Sequence, residues 1–311
     1  MRDQLLALVA ATAVGLAPAW AGASEHRGGD SRTEEAAASR PAPTPEELTG
    51  ATYSGIDDQG PVTLSAGKWE GQPLMEGSAS VPAVWLSEGF HLTGDLDQDG
   101  ADEAVVHLTY SSGGTGNFGY LAVMGREDGE VVQEAIGLVG DRVQIRAARI
   151  DGESVVLDVL QAGPDDGMCC PRQLATRTFG IRSDKLVETD TEITGTASLA
   201  MLDGTAWVLR KLDGQAGDAL PGRATLAFAS GKVSGSTGCN RFQGTVSEGD
   251  SATSLLIGPL MTTRMACPEP LMTQEHRFLE QLEQTEVFQF LFGDLVLSGA
   301  NGAMVFSPPV D

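Results

Sequence analysis

The apolar positions change their rhythm along the chain. From about residue 48 to residue 188 they come in short runs broken by Gly and Asp. Ala104-Val105-Val106-His107-Leu108-Thr109-Tyr110 is one such run, and residues 120–124 form another. Apolar, β-branched runs bounded by turn residues predict strands. Asp128-Gly129 and Asp151-Gly152 are turn pairs, because both residue types accept positive φ at little cost. The second pair joins residues 143–150 to 154–160. No long helical period occurs in this stretch, which predicts a β-rich domain over 48–188.

Residues 189–203 are Thr-rich and read as a connector. A second domain follows over 204–308. Trp207-Val208-Leu209 opens it, and residues 225–228 and 232–236 flank a Ser230-Gly231 turn. The period then lengthens. Leu271, Phe278 and Leu282, helped by Met272 and Leu279, recur at helical spacing over 269–285. Pro270 suits the first turn of that helix. Glu275, Glu280 and Glu283 read as its water-facing side. Strand patterns return at 287–292, 295–297 and 303–306, with turns at Gly293-Asp294 and Asn301-Gly302. The fold class is α+β and β-dominated: a β-rich N-terminal domain, then a small domain with one helix packed on a sheet.

The N-terminus follows another logic. Arg2 precedes an apolar run, 5–16, too short to span a bilayer, and Ala19-Trp20-Ala21 is an A-x-A site. This predicts a secretory signal peptide over 1–21, cleaved before Gly22 or Ser24. No cysteine sits at the junction, so no lipid anchor is expected. Residues 22–47 are rich in Ala, Glu, Pro, Arg and Ser without apolar periodicity, which predicts a disordered linker. No other stretch has the ~18 apolar residues of a membrane helix. The expected location is periplasmic or secreted.

Composition then narrows the partners. The net charge of −23 repels nucleic acid and anionic lipid surfaces. Four cysteines in an oxidising compartment predict disulfides, with three connectivities open. Pairing inside each domain needs no cross-domain geometry, which favours Cys239 with Cys267. Cys169 with Cys170 is the other pair, although adjacent cysteines bridge only through an unusual turn.

One stretch carries sharp chemistry. Asp95-Leu96-Asp97-Gln98-Asp99-Gly100-Ala101-Asp102-Glu103 reads D-x-D-x-D-G with an acid at position nine. Alternate aspartates converge on one point, and Gly100 permits the sharp turn. The Ala101 carbonyl and Glu103 complete an oxygen shell suited to Ca2+. Val106 stands where an EF-hand has its bidentate Glu, so the loop is not an EF-hand. It resembles the single calcium loops between strands of FG-GAP-type repeats. The bland alternative is an acidic turn without an ion.

Other matches fail on context. Gly114-x-Gly116-x-x-Gly119 precedes a strand rather than a helix, so no helix N-terminus meets a phosphate. Ser65-Ala66-Gly67-Lys68 lacks the companion motifs of penicillin-recognising enzymes. No G-x-S-x-G or H-E-x-x-H occurs. His26, His91, His107 and His276 have no partners at zinc-ligand spacing.

The most specific resemblance lies near the C-terminus. Trp207-Val208-Leu209, Thr237-Gly238-Cys239-Asn240-Arg241-Phe242-Gln243-Gly244, Thr263-Arg264-Met265-Ala266-Cys267-Pro268, Glu275 and Gly293-Asp294-Leu295-Val296-Leu297 occur in META/HslJ-like order. The match runs from about residue 204 to 308. The resemblance implies an envelope-associated domain linked to stress tolerance and, in other lineages, to motility and secretion. It implies no agreed reaction chemistry. Asn240, Arg241, Thr263 and Arg264 are the candidate ligand or partner site, against a structural polar network beside the disulfide. Gly113-Gly114-Thr115-Gly116-Asn117-Phe118, Met168-Cys169-Cys170-Pro171 and the aspartate loop resemble an N-terminal module often found beside such domains. The function expected is an exported, non-enzymatic envelope module that binds a protein or small ligand. The alternatives are a periplasmic inhibitor or chaperone-like factor and, less favoured for want of a nucleophile–base pair, an unrecognised hydrolase.

Overall fold

Residues 104–108 are buried at consecutive positions because their strand is covered on both faces. Val105 packs into one core with Leu121, Val123, Leu157 and Phe179. Ala104, Val106 and Leu108 pack into another with Tyr53, Val62, Ala122 and Met124. A strand buried on both sides cannot alternate apolar with polar residues. The computed structural model describes residues 41–58, 60–73, 80–167 and 170–309, all inside the unit Ser39–Asp311. The expected signal peptide, residues 22–40 of the expected linker and Cys169 lie outside the described residues.

Among the described residues the N-terminal sheet has nine strands. In spatial order they are Lys68–Glu70, Ala83–Gly94, Glu103–Ser111, Phe118–Glu127, Glu130–Asp141, Lys185–Thr196, Gln173–Arg182, Ser154–Gln161 and Gln144–Asp151. Every neighbour pair is antiparallel except Lys185–Thr196 beside Glu130–Asp141. A separate hairpin, Thr52–Asp57 with Gly60–Thr63, covers the second core. The Asp128-Gly129 turn has both residues at positive φ, the geometry expected of that pair.

Two segments depart from the expected organisation. The last residues of the stretch expected to be linker are ordered. Thr44 and Glu47 form a capping box around the short helix Pro45–Leu48. Arg126 anchors this segment by pairing with Glu47 at 2.6 Å and donating to the Pro41 carbonyl. Capping chemistry over so few residues leaves no periodicity to read. Residues 189–196, expected as connector, extend the strand Lys185–Thr196 along Gln173–Arg182. Backbone pairing holds them while most of their side chains face water, so the apolar pattern is missing.

The C-terminal sheet orders its main strands as Leu255–Ile257, Arg241–Glu248, Lys232–Ser236, Thr225–Ala229, Ala206–Leu212, Gly302–Ser307, Asp294–Gly299 and Thr285–Leu291. The helix Glu269–Glu283 lies on it with Phe278 and Leu282 fully buried. Phe278 meets Phe242 and Phe306 at ring distances of 5.5 and 6.2 Å. Glu280 and Glu283 are exposed as expected, but Glu275 is buried. Among the described residues no helix is long and apolar enough to cross a membrane.

The two sheets meet at a hairpin tip. Phe292, between the strands Thr285–Leu291 and Asp294–Gly299, donates its N–H to the Ile145 carbonyl at 2.8 Å. Its ring packs on Phe90 at 5.1 Å and on His107 at 5.0 Å. Phe290 N–H donates to Gln144 Oε1, and the Arg146 guanidinium lies over the Phe290 ring.

Candidate functional site

Three places concentrate polar chemistry. The first is the aspartate turn between Ala83–Gly94 and Glu103–Ser111. Positive φ at Gln98 and Gly100 folds the chain back on itself. The side chains cap their own loop: Asp97 Oδ1 accepts from Asp99 N–H at 3.0 Å, and Asp99 Oδ1 from Ala101 N–H at 2.7 Å. Asp95, Asp97 and Asp99 each offer a carboxylate oxygen within 4.8 Å of the other two. Asp95 Oδ1 is buried and has no hydrogen-bond partner.

Glu103 is 2% exposed and accepts Leu96 N–H at 2.7 Å. Burial pushes its pKa up to about 7, against the Leu96 hydrogen bond, and the Glu134, Asp97 and Asp95 carboxylates add to the rise. Glu134 comes from the strand Glu130–Asp141. Burial raises its pKa first, then the Asp97 and Asp99 charges. Gly125 on the adjacent strand leaves the space that the Glu134 carboxylate fills. No spacing in the sequence links residue 134 to the loop; strand pairing alone brings it there.

The second place is the turn carrying Cys239. Cys239 and Cys267 are bonded, with Cα atoms 6.1 Å apart. Asn240, 1% exposed, saturates its amide. Its Nδ2 donates to Glu275 Oε1 and the Met265 carbonyl, at 3.1 and 3.2 Å. Its Oδ1 accepts from Thr263 Oγ1 at 2.7 Å and Met265 N–H at 2.8 Å. Glu275 Oε2 accepts from the Thr237 hydroxyl and the Asn240 N–H. The neighbouring Gln274 clamps the Gly222 and Thr237 carbonyls.

This corrects the water-facing reading of Glu275. The helix turns that carboxylate inward because the Cys239 turn presents three donors to it. Asn240 and Thr263 are therefore brought together, while Arg241 and Arg264 are exposed. Thr237, Gln274 and Glu275 carry the network beside the disulfide. Only the Thr-Gly-Cys-Asn spacing and the polar pair on the helix hinted at it.

The third place is a cavity of about 900 Å3 where the sheets meet. His107 lies on its wall and contacts Ser87 Oγ through Nδ1 at 2.7 Å. A Cβ at Gly119 would collide with the ring's Nε2. Burial pushes the His107 pKa down to about 4, so the ring is neutral at pH 7 and a weak base.

The architecture is thus a β-rich unit joined to a one-helix sheet domain with a cysteine bridge. Residues 200–310 match the META domain family, so the C-terminal region is a META domain. That family is not a known enzymatic one. A solved structure titled "NMR structure of the protein from Burkholderia xenovorans" is 26% identical, spanning 40% of this chain and 97% of its own, with a TM-score of 0.31. No curated protein matches the chain.

Proposed function

We propose that the chain is an exported, non-catalytic binding module of the envelope whose aspartate turn holds a structural Ca2+. The META domain supports the envelope setting, and the cysteine bridge suits an oxidising compartment. The observation that carries the calcium reading is Asp95. A buried carboxylate oxygen without a donor is costly unless a cation answers it. Asp95, Asp97, Asp99, the Ala101 carbonyl and Glu103 would hold the ion, with Glu134 facing them from the next strand but one. Hard oxygen ligands on a turn suit Ca2+, at roughly 10⁻⁴ M as in extracellular modules. The test is calorimetry of the mature protein in Ca2+ and in EGTA. Ca2+ raises the melting temperature of the wild type and not of Asp97→Ala/Asp99→Ala. Identical wild-type melts in both buffers sink the reading.

A second reading, an inhibitor or chaperone-like factor acting on an envelope protein, is favoured by one surface. Met261 and Met265 are 63% and 57% exposed beside the exposed Arg241. Exposed methionines make adaptable protein contacts. Capture of one envelope protein from periplasmic extract, lost in Met261→Ser/Met265→Ser, supports this reading. Capture that ignores the double variant removes it.

A further inference from the structure

The cavity between the sheets has features that specify a ligand. Its walls come from both halves of the sequence: the strands Ala83–Gly94 and Glu103–Ser111 on one side, and Thr285–Leu291 on the other. Ligand sites favour such seams, where a few polar groups converge on a concave wall. A volume of about 900 Å3 is room for several pyranose-sized rings rather than an ion.

The lining carries no uncommitted charge. Arg142 spends its guanidinium on Asp141 at 2.8 Å and on the Thr115 carbonyl. His107, the other ionisable group on the wall, is neutral at pH 7. The remaining polar groups are hydroxyls and amides, such as Thr109, Asn117 and Gln289. A net charge of −23 disfavours anionic ligands further.

One wall is aromatic. Trp85 is 38% exposed and lies on the strand facing the cavity, opposite Thr109. Lys68 Nζ sits 5.9 Å from its ring centroid. A large, partly exposed indole among neutral hydroxyls and amides fits a ligand that alternates flat C–H faces with hydroxyl edges. We propose that this cavity binds a neutral oligosaccharide, stacked on Trp85 and hydrogen-bonded by the hydroxyl and amide rim. The proposal deepens the binding-module reading and rests on it.

The test uses the full mature chain, titrated by calorimetry and ligand-observed nuclear magnetic resonance with maltotriose, cellotriose, mannotriose and chitotriose. At least one binds with Kd of ~1 mM or tighter. Trp85→Ala weakens that binding at least tenfold, Trp85→Phe weakens it less, and both variants keep the wild-type melting temperature. Two results overturn the proposal: none of the four binds at that strength, or the bound one ignores Trp85→Ala. Should Trp85→Ala lower the melting temperature, Asn117→Ala at the exposed rim replaces it with the same two readings. Loss of saccharide binding with Ca2+-dependent melting intact removes this proposal and leaves the calcium-stabilised module. Ca2+-independent melting with saccharide binding intact does the reverse.

Discussion

Around Asn240 the protein answers each polar atom with its own groups; around Asp95 the carboxylates face one another. Both clusters sit beside turns, and both resembled binding motifs. The difference separates their roles. A saturated network has little left to offer a ligand, and its worth is in fixing the Cys239 turn on the helix. A group of converging acids with an orphaned oxygen is the arrangement on which the calcium proposal rests.

The largest expected effect lies in the saturated network. Asn240→Ala removes four side-chain hydrogen bonds to oxygen and nitrogen partners and leaves Thr263, the Met265 N–H and part of Glu275 unanswered. Urea denaturation should show a loss of about 4 kcal/mol. A loss near zero would mean that the network is dispensable, and would return Asn240 to the list of binding residues. Next comes the bridge beside it. Cys239→Ala/Cys267→Ala should cost about 3.5 kcal/mol on the chain-entropy account, for a sequence separation of 28.

His107 gives a third handle, because it is buried without an acidic partner. Its folded pKa of about 4 lies below the ordinary 6.5. The unfolded chain therefore takes up a proton first, and stability falls as pH drops from about 6.5 to about 4. The loss approaches about 3 kcal/mol. His107→Asn should flatten that slope in acid denaturation; an unchanged slope assigns the acid sensitivity to other groups.

The smallest effect is that of Ca2+ on the acidic turn. At ~20 times its Kd, Ca2+ should add about 2 kcal/mol. Without Ca2+, Glu103 reverses the sign seen at His107. Its folded pKa, about 7 against an ordinary 4.5, lies above the unfolded one. Its contribution is present below pH 4.5 and is lost as pH rises through 7. Glu103→Gln in EGTA should abolish that loss, and a Glu103→Gln protein that still gains stability from Ca2+ would place Glu103 outside the ion's shell.

Much of this was legible in the sequence. The D-x-D-x-D-G spacing predicted convergence of Asp95, Asp97 and Asp99, because a turn is local. The continuous run at 104–108 predicted a strand, and the family resemblance over the C-terminal region agrees with the META match at 200–310. What stayed hidden depends on long-range placement. Glu134 joins the turn through strand pairing. Glu275 sits at a helix position whose charge suggested water, yet three donors on a distant turn draw it inward. Residues 189–196 pair through their backbone, which leaves no mark in side-chain pattern. The Ser87–His107 contact likewise spans two strands with no shared motif.

Phe292 has a practical consequence for anyone dissecting the chain. A phenylalanine at φ 53 is poorly suited to its own turn. It persists because its ring fills the niche made by Phe90 and His107. The tip of the META sheet is thus written in the vocabulary of its neighbour. Excised as residues 200–310, the domain would carry a strained turn crowned by a bare aromatic ring. Phe292→Asn, which suits left-handed backbone, should help that fragment and harm the intact protein, so one substitution would have opposite signs in the two contexts.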